Sequence, residues 1–309
     1  MSVHPETPDL REHKEDEGSG AHSLTSSSLT QRAQEASEES IAPFEAYWDE
    51  LGFVERGAIR LLRWMNKPGW GRRLGMFWSH VPKRAVQALS EHRWQLRGIE
   101  ALNEVPTDAP LLLVSNHRTF FDLFIGMTAL RTATKNRLGN PCSFPVRSPF
   151  FYDNPLGILI NVIAAGGSMY PPVFRDERKT RLNAEGMNAM RLLLSQPGLC
   201  FGLHPEGHRS KLEDPFQLAP LKRGVGHLIS QADPSMVVLP MFMSGLTNDL
   251  GRELKQAISR RTAHPIYIRW GKPQLVSAYQ GDLSEIVLKI QEEMQRLGDL
   301  QRSEHTTEM

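Results

Sequence analysis

The chain passes directly from an apolar run into a polar segment between residues 111 and 122, and this junction constrains the fold most. Residues 111–114 are three leucines and a valine, which predicts a buried strand. His117 and Asp122 follow within a few residues. In open α/β sheets, ligand sites lie beyond the carboxyl ends of the strands. The junction therefore predicts an α/β fold with a functional site at this strand end.

Strand and helix patterns alternate along the remainder of the chain. The predicted strands cover residues 94–98, 111–114, 144–146, 199–203, 236–243 and 266–270. The predicted helices cover residues 122–130, 156–164, 181–195, 224–231 and 283–297. This alternation predicts a mixed, largely parallel sheet flanked by helices. The longest apolar run, residues 156–167, is shorter than the roughly 20 residues that a membrane-spanning helix needs, and we interpret it as core.

Charge is unevenly distributed over the first hundred of the 309 residues. Residues 1–50 carry twelve acidic and three basic side chains, a net charge of −9, whereas residues 51–100 carry three acidic and ten basic ones, a net charge of +7. Residues 1–42 are rich in serine and glutamate and poor in large apolar side chains, which predicts a disordered acidic tail without a secretory signal. The two cysteines, Cys142 and Cys200, are too few for a disulfide framework and fit a reducing compartment.

Residues 43–93 have the pattern of a basic, amphipathic helical segment. Apolar side chains recur every three or four positions, at residues 51, 54, 58, 61, 62 and 65. Basic and aromatic side chains accompany them at Arg56, Arg60, Arg63, Trp64, Lys67 and Trp70. The pattern is typical of helices that lie in the surface of an anionic membrane. The alternative is a helical hairpin that packs on its own domain, whereas nucleic-acid binding is disfavoured because no nucleic-acid-binding motif accompanies the charges.

The pair His117 and Asp122 has the composition of a proton-transfer site. Histidine titrates near neutral pH, so it can act as a general base. An aspartate beside it fixes the imidazole tautomer and stabilises the imidazolium, as in a Ser-His-Asp triad. Because the chain has no G-x-S-x-G nucleophile motif, we expect the substrate to bring the attacking hydroxyl. The alternative is structural: a histidine that packs at a strand end and an aspartate that stabilises a helix N-terminus.

Four sequence blocks resemble, in the same order, the motifs of the glycerolipid acyltransferase superfamily, which includes lysophosphatidate acyltransferases. They are Asn116-His117-x-x-x-x-Asp122, Phe174-Arg175, Pro205-Glu206-Gly207-His208-Arg209-Ser210 and Val237-Val238-Leu239-Pro240. The basic turn Leu221-Lys222-Arg223-Gly224 is a further point of similarity. The resemblance implies an α/β acyltransferase domain at residues 94–296, preceded by an N-terminal helical membrane-docking element. Residues 297–309, beyond that domain, are predicted to form a polar tail.

The resemblance also implies roles for single residues in an acyl transfer reaction. The catalytic pair would be His117 and Asp122. The substrate-binding residues would be Arg175, Glu206, Gly207, Arg209 and Lys222. Arginine suits an acceptor that carries a phosphate, because its planar guanidinium makes two parallel charged hydrogen bonds. The acyl donor would be a thioester, either acyl-CoA or acyl-ACP (acyl carrier protein), with no further cofactor.

The expected reaction moves a fatty acyl group to the hydroxyl of a lysophospholipid, with lysophosphatidate as the first candidate. The alternatives are glycerol 3-phosphate, another lysolipid, or a non-catalytic membrane-binding protein on the same scaffold. The interval from Gly167 to Arg175 is longer than in the family, which leaves the acceptor open. We expect the protein at the cytoplasmic face of a membrane, bound peripherally or monotopically to an anionic surface, without a spanning helix.

Three polar side chains alternate at His204, Glu206 and His208, and this spacing raises the question of a metal site. Two histidines four residues apart can bind zinc when they lie on one face of a helix. Pro205 and Gly207 disfavour a helix here, and the order differs from H-E-x-x-H. We therefore expect no metal site.

Overall fold

The computed structural model describes residues 49–179, 181–259 and 264–308, so the predicted acidic tail at residues 1–42 lies outside the described residues. The helices are α1 (Phe53–Asn66), α2 (Trp70–Ser90), α3 (Asp122–Ala133), α4 (Ser148–Phe151), α5 (Pro155–Ala165), α6 (Leu182–Leu194), α7 (Gly224–Ser230), α8 (Leu250–Ile258) and α9 (Leu283–Glu308). The strands are β1 (Trp94–Arg97), β2 (Leu111–Ser115), β3 (Cys142–Ser143), β4 (Val146–Arg147), β5 (Pro172–Val173), β6 (Cys200–Leu203), β7 (Val237–Ser244), β8 (Ile266–Trp270) and β9 (Gln274–Leu275).

A central sheet contains seven of these strands. Six lie side by side in the order β1, β8, β7, β2, β6, β3, and β9 pairs with the start of β7. β2 is parallel to both of its neighbours, β1 is parallel to β8, and β3 is parallel to β6. β7 is antiparallel to β8 and β9, while β4 and β5 form a separate parallel pair. The prediction of a mixed, largely parallel sheet is confirmed.

Helices cover both faces of this sheet. Successive side chains of a strand point to opposite faces. Along β7, Met241 meets α3, where a Cβ added to Gly126 would lie 2.4 Å from the Met241 Cε atom. Phe242 meets α9 instead, since a Cβ added to Gly298 would lie 3.0 Å from its ring. The glycines allow both helices to approach closely, and every residue of β2 is buried between the two layers.

The register of the strands brings two polar segments to one edge of the sheet. Val114 near the end of β2 pairs with Leu203, the last residue of β6. Ser115 pairs with Met241 of β7 on the other side. Because β2 and β6 are parallel, the segments that follow them leave the sheet side by side. His117 and the P-E-G loop, residues 205–210, therefore meet although about 90 residues separate them in the chain.

Several elements differ from the sequence-based expectations. In place of the predicted strand 144–146, β3 ends at Ser143 and β4 begins at Val146, and these two strands belong to different sheets. Helices α4 and α8 and the short strands β5 and β9 were not predicted. Helix α9 continues to Glu308, beyond the predicted helix end at residue 297, and buries Leu297 and Gln301. These two side chains continue the spacing of Ile290 and Met294, so a narrow buried stripe packs this helix against the domain.

The helices α1 and α2 pack against each other and against the domain. The predicted apolar face of α1 is largely buried, since Leu62 is 0% and Met65 5% exposed. The buried carboxylate of Glu55 also binds the hydroxyl of Ser148 and the ammonium of Lys179, each at 2.6 Å. α1 is thus an integral part of the described structure. The alternative that we gave for this segment, a helical hairpin that packs on its own domain, is present, and the predicted membrane docking remains a proposal.

Large apolar side chains are nevertheless exposed on α2 and α5. On α2, Trp70, Phe77 and Val81 are 79%, 70% and 71% exposed. On α5, Leu159 and Ile163 are 52% and 53% exposed, so this run is not core as we interpreted it. The reason is that α5 is apolar on all sides while only one side, which includes Gly157, Asn161 and Ala165, faces the protein.

Candidate active site

His117 and Asp122 form a hydrogen-bonded pair at the carboxyl end of β2. The Nδ1 atom of His117 lies 3.1 Å from the Oδ2 atom of Asp122. A carboxylate oxygen only accepts, so Nδ1 carries the proton and Nε2 keeps its lone pair in the neutral ring. The His117 side chain is 22% exposed and that of Asp122 only 3%. The pair thus has an accessible base above a buried carboxylate, as the sequence predicts.

The Asp122 carboxylate is held by the turn that precedes it. Its Oδ2 atom accepts the backbone N–H groups of Arg118 and Thr119 at 2.7 and 2.8 Å. Its Oδ1 atom accepts the hydroxyl of Thr119 at 2.6 Å. Asp122 is also the first residue of α3, where the helix dipole favours a negative charge. These donors fix the carboxylate in place.

The Glu206 side chain holds the backbone of His117 by a hydrogen bond. Its Oε1 atom accepts the N–H of His117 at 2.5 Å, and its Oε2 atom accepts the N–H of Ala219 at 3.2 Å. The side chain is fully buried. Burial raises the pKa of the Glu206 carboxyl above its usual value, and the two N–H donors oppose that rise. Glu206 therefore braces the segment that carries His117, and its predicted contact with a substrate stays a prediction.

Asn116 joins the same segment to the neighbouring strand. Its side-chain amide donates to the carbonyl of Met243 at 2.9 Å and accepts the N–H of Met243 at 2.8 Å. On the other side, the N–H of Ser210 donates to the carbonyl of His117 at 2.7 Å. The backbone around His117 is thus fixed by β7 and by the P-E-G loop. Rigid support of this kind preserves the orientation of a catalytic ring.

Arg175, Gly207 and Lys222 come together beside the site. The guanidinium of Arg175 donates to the carbonyl of Gly207 at 3.1 Å. The Cγ atom of Lys222 lies 3.2 Å from the position that a Cβ on Gly207 would occupy. Gly207 itself has φ +68°, a conformation that favours glycine. Burial first, and then nearby Arg147, lower the pKa of Arg175, so Arg147 is a further cation that sequence reasoning missed.

Arg209 reaches the same edge through Asn248. Its guanidinium donates to the Asn248 Oδ1 atom at 3.0 Å, and the Asn248 amide donates to the carbonyl of Arg118 at 3.0 Å. Arg118 directly follows His117 in the chain. Asn248 lies beyond the end of β7 and was not among the predicted residues. Nothing in the local sequence marks it, because its position depends on how β7 pairs with β2.

A second imidazole, that of His204, lies against His117. The ring centroids are 3.9 Å apart and the ring planes differ by 7°. With Asp122, these side chains place three possible metal-ligand atoms within 4.8 Å of one another. Lone pairs of imidazole lie in the ring plane, so two stacked parallel rings do not direct them at a common point. Asp122 is also saturated with donors, and the geometry therefore favours proton transfer over metal binding.

The fold and this site define a class: an α/β protein with a His–Asp pair next to a group of cations at the carboxyl end of a central strand. Residues 96–244 match the family model described as Acyltransferase. This segment is therefore an acyltransferase domain, the kind of domain that the four sequence blocks resemble.

Comparison with individual proteins adds one structural likeness. No curated protein matches the chain. Among solved structures, it is similar to the crystal structure of the 1-acyl-sn-glycerophosphate (LPA) acyltransferase PlsC from Thermotoga maritima. That match has 16% sequence identity and a TM-score of 0.48, and it covers 89% of this chain and 98% of the other.

Proposed function

We propose that this protein transfers a fatty acyl group from acyl-CoA or acyl-ACP to the hydroxyl of a lysophospholipid at a membrane surface, with lysophosphatidate as the acceptor. One observation carries the proposal. The imidazole of His117, oriented by Asp122 at 3.1 Å, stands at the same sheet edge as the cations of Arg175, Arg209 and Lys222.

In the proposed reaction, His117 acts as the general base. Its Nε2 atom takes the proton from the acceptor hydroxyl while that oxygen attacks the thioester carbonyl. A carbon–oxygen bond forms, the carbon–sulfur bond breaks, and the imidazolium returns the proton to the leaving thiolate. Asp122 stabilises the imidazolium between these two proton transfers. The products are the acylated lipid and a free thiol.

The cations support a phosphate as part of the acceptor. A phosphomonoester such as that of lysophosphatidate carries more negative charge than the phosphodiester of most other lysolipids. Arg175 and Lys222 converge at Gly207, and Arg147 adds a further positive charge near Arg175. Cations repel one another when no anion lies between them, so their grouping favours an anionic ligand. A phosphomonoester matches this grouping best.

Aromatic side chains beside the catalytic pair support an apolar acyl chain. The ring of Phe120 stacks on that of Phe151, with centroids 6.0 Å apart, and contacts Phe124. Phe124 also lines a cavity between α2 and α3, together with Leu123 and Met127. Phe120 is 43% exposed and lies three residues from His117. An acyl chain could pack on these rings with its thioester close to the base.

The exposed side chains of α2 support binding to a membrane surface. Trp70, Phe77 and Val81 are large, apolar and more than two-thirds exposed. The basic side chains of Lys83 and Arg84 follow them on the same helix. Apolar and aromatic groups next to basic ones suit the interface of an anionic bilayer. Among the described residues, the helices fall short of the length and apolarity needed to cross a bilayer.

The test is a thiol-release assay with purified protein. The wild type is incubated with long-chain acyl-CoA or acyl-ACP and a panel of acceptors: lysophosphatidate, glycerol 3-phosphate and lysolipids with capped phosphates. We expect release of thiol that depends on the acceptor and is greatest with lysophosphatidate. His117→Ala should abolish it, whereas the exposed His92→Ala serves as a matched control and should retain it. Equal thiol release by His117→Ala and wild type would refute the proposed function.

A further inference from the structure

His204 and His117 follow neighbouring strands at the same end of the sheet. His204 follows β6, and its ring lies parallel to that of His117 at a centroid distance of 3.9 Å. In the parallel register Val114 pairs with Leu203, so His204 directly follows its strand and His117 lies two residues beyond the level of His204. The alignment of the two strands therefore brings both histidines to the same sheet edge, where their rings stack.

A hydrogen bond fixes the plane of the His204 ring. Its Nδ1 atom lies 2.9 Å from the carbonyl oxygen of Ser115. A carbonyl oxygen only accepts, so Nδ1 donates and carries the proton. Ser115 belongs to β2, the strand that leads into His117. The bond thus ties the His204 ring to the segment whose side chain it contacts.

The charge of His204 is compatible with a neighbour that gains a proton. Desolvation of the ring, and then the proximity of His117, lower the pKa of His204 to about 4. The ring is consequently neutral at neutral pH. A neutral ring can lie against an imidazolium, whereas a second cation at this distance would repel it. His204 can therefore keep its contact before and after His117 takes a proton.

We infer that His204 is a positioning residue for acyl transfer: its ring, anchored to the Ser115 carbonyl, holds the face of the His117 imidazole while Asp122 holds its edge. This inference rests on the proposed function. A general base must keep its lone pair directed at the substrate proton, and small misalignments cost rate. The interaction free energy of a stacked aromatic pair corresponds to about a two- to tenfold change in rate.

Three substitutions separate the ring of His204 from its hydrogen bond. His204→Phe keeps an aromatic ring but loses the bond to Ser115. His204→Leu loses both at similar volume, and His204→Asn keeps a donor without a ring. We expect kcat to fall about tenfold in the leucine and asparagine variants and less than threefold in the phenylalanine variant. The KM for the acceptor should be unchanged in all three, because His204 does not contact it.

The outcomes that would overturn the inference are distinct. Equal kcat in the phenylalanine and leucine variants would eliminate stacking as the cause. Retained activity in the asparagine variant alone would assign the role to the hydrogen bond. A raised acceptor KM with unchanged kcat would place His204 in substrate binding. Thermal melting of each variant identifies any loss of fold.

A substrate-free measurement separates this inference from the proposed function. The ring nitrogens of His117 can be followed by NMR in protein with ¹⁵N-labelled histidine, and assigned by their disappearance in His117→Gln. We expect the Nδ1-protonated tautomer in the wild type, His204→Phe and His204→Leu, because Asp122 is retained, with narrow lines in the first two and lines broadened by ring motion in His204→Leu. If the wild type turns over no acceptor of the panel, the proposed function fails. The NMR comparison then still decides whether His204 positions the ring, and unchanged signals in His204→Leu would refute it.

Discussion

Replacing Asp122 by asparagine separates the charge of this side chain from its hydrogen bonds. Two backbone N–H groups, those of Arg118 and Thr119, point at the Oδ2 atom. In Asp122→Asn they require the amide oxygen at that position, which leaves the amide nitrogen facing the Thr119 hydroxyl. That hydroxyl can accept as well as donate. The substitution therefore keeps the hydrogen bonds and the tautomer of His117, and removes only the negative charge.

The size of the effect follows from the geometry of the pair. Nδ1 of His117 and Oδ2 of Asp122 are 3.1 Å apart. Two unit charges at about 4 Å attract by about 4 kcal/mol at an effective dielectric constant near 20. That attraction stabilises the imidazolium that forms as His117 takes the substrate proton. Its loss corresponds to a decrease of roughly 10³-fold in kcat.

Steady-state kinetics and thermal melting together test this prediction. For Asp122→Asn we expect kcat to fall by about 10³, with the acceptor KM and the melting temperature nearly unchanged. Asp122→Ala is the matched control for lost hydrogen bonds, because it leaves buried N–H groups without an acceptor and should melt several degrees lower. A kcat within tenfold of wild type in the asparagine variant would contradict the electrostatic role of Asp122. A large drop in its melting temperature would contradict the orientation of the amide.

Further predictions concern stability, acceptor binding, membrane binding and pH. Glu206→Gln places an amide NH₂ against a backbone N–H, so its free energy of unfolding in urea should be about 1–3 kcal/mol lower than that of the wild type. An unchanged free energy of unfolding would contradict the bracing role. Arg175→Ala should raise the acceptor KM roughly 10–100-fold and leave the donor KM unchanged. A raised donor KM would instead place Arg175 at the thioester. Phe77→Ser should weaken co-sedimentation with anionic liposomes, whereas Leu288→Ser on α9 should not; equal loss would exclude α2 as the docking site. The pKa of His204 is lowered to about 4 in the folded protein, so the unfolded chain binds a proton more readily and the folded state loses stability as the pH falls from about 6.5 towards 4. Between pH 7 and pH 5 the free energy of unfolding should fall by about 2 kcal/mol more in the wild type than in His204→Phe. Equal decreases would contradict the neutral state of His204.

The N-terminal helices show how the structure changes an experiment designed from sequence. Amphipathic spacing indicates that residues 51–84 could be removed to test membrane binding. In the structure, Ile59 and Leu62 of α1 are fully buried, and Glu55 binds Ser148 and Lys179. Deletion would expose the core, so its effect on liposome binding could not be interpreted. Single substitutions on the exposed face of α2 avoid this problem.

The His117–Asp122 pair could be predicted because its two members are close in the chain. Asp122 lies five positions after His117, and a single turn followed by a helix start brings them together. The P-E-G loop and the basic turn were predicted from their resemblance to a family. Their contacts with the site could not be predicted, as Glu206 shows. A glutamate in a loop with an arginine suggests a substrate contact, whereas its carboxylate is buried under the backbone of His117.

The sequence by itself determined the local features of this protein: the alternation of strands and helices, and a histidine and an aspartate at the end of one apolar strand. These features depend on the spacing of side chains over a few residues. A short segment of the sequence therefore contains all the information that determines them. Only the tertiary structure decided that His204 stacks on His117, that Glu206 supports it and that Asn248 connects Arg209 to it. Each of these contacts requires β2 to lie between β6 and β7 in one particular register. That register results from packing of the whole sheet between its helices, and no single segment encodes it.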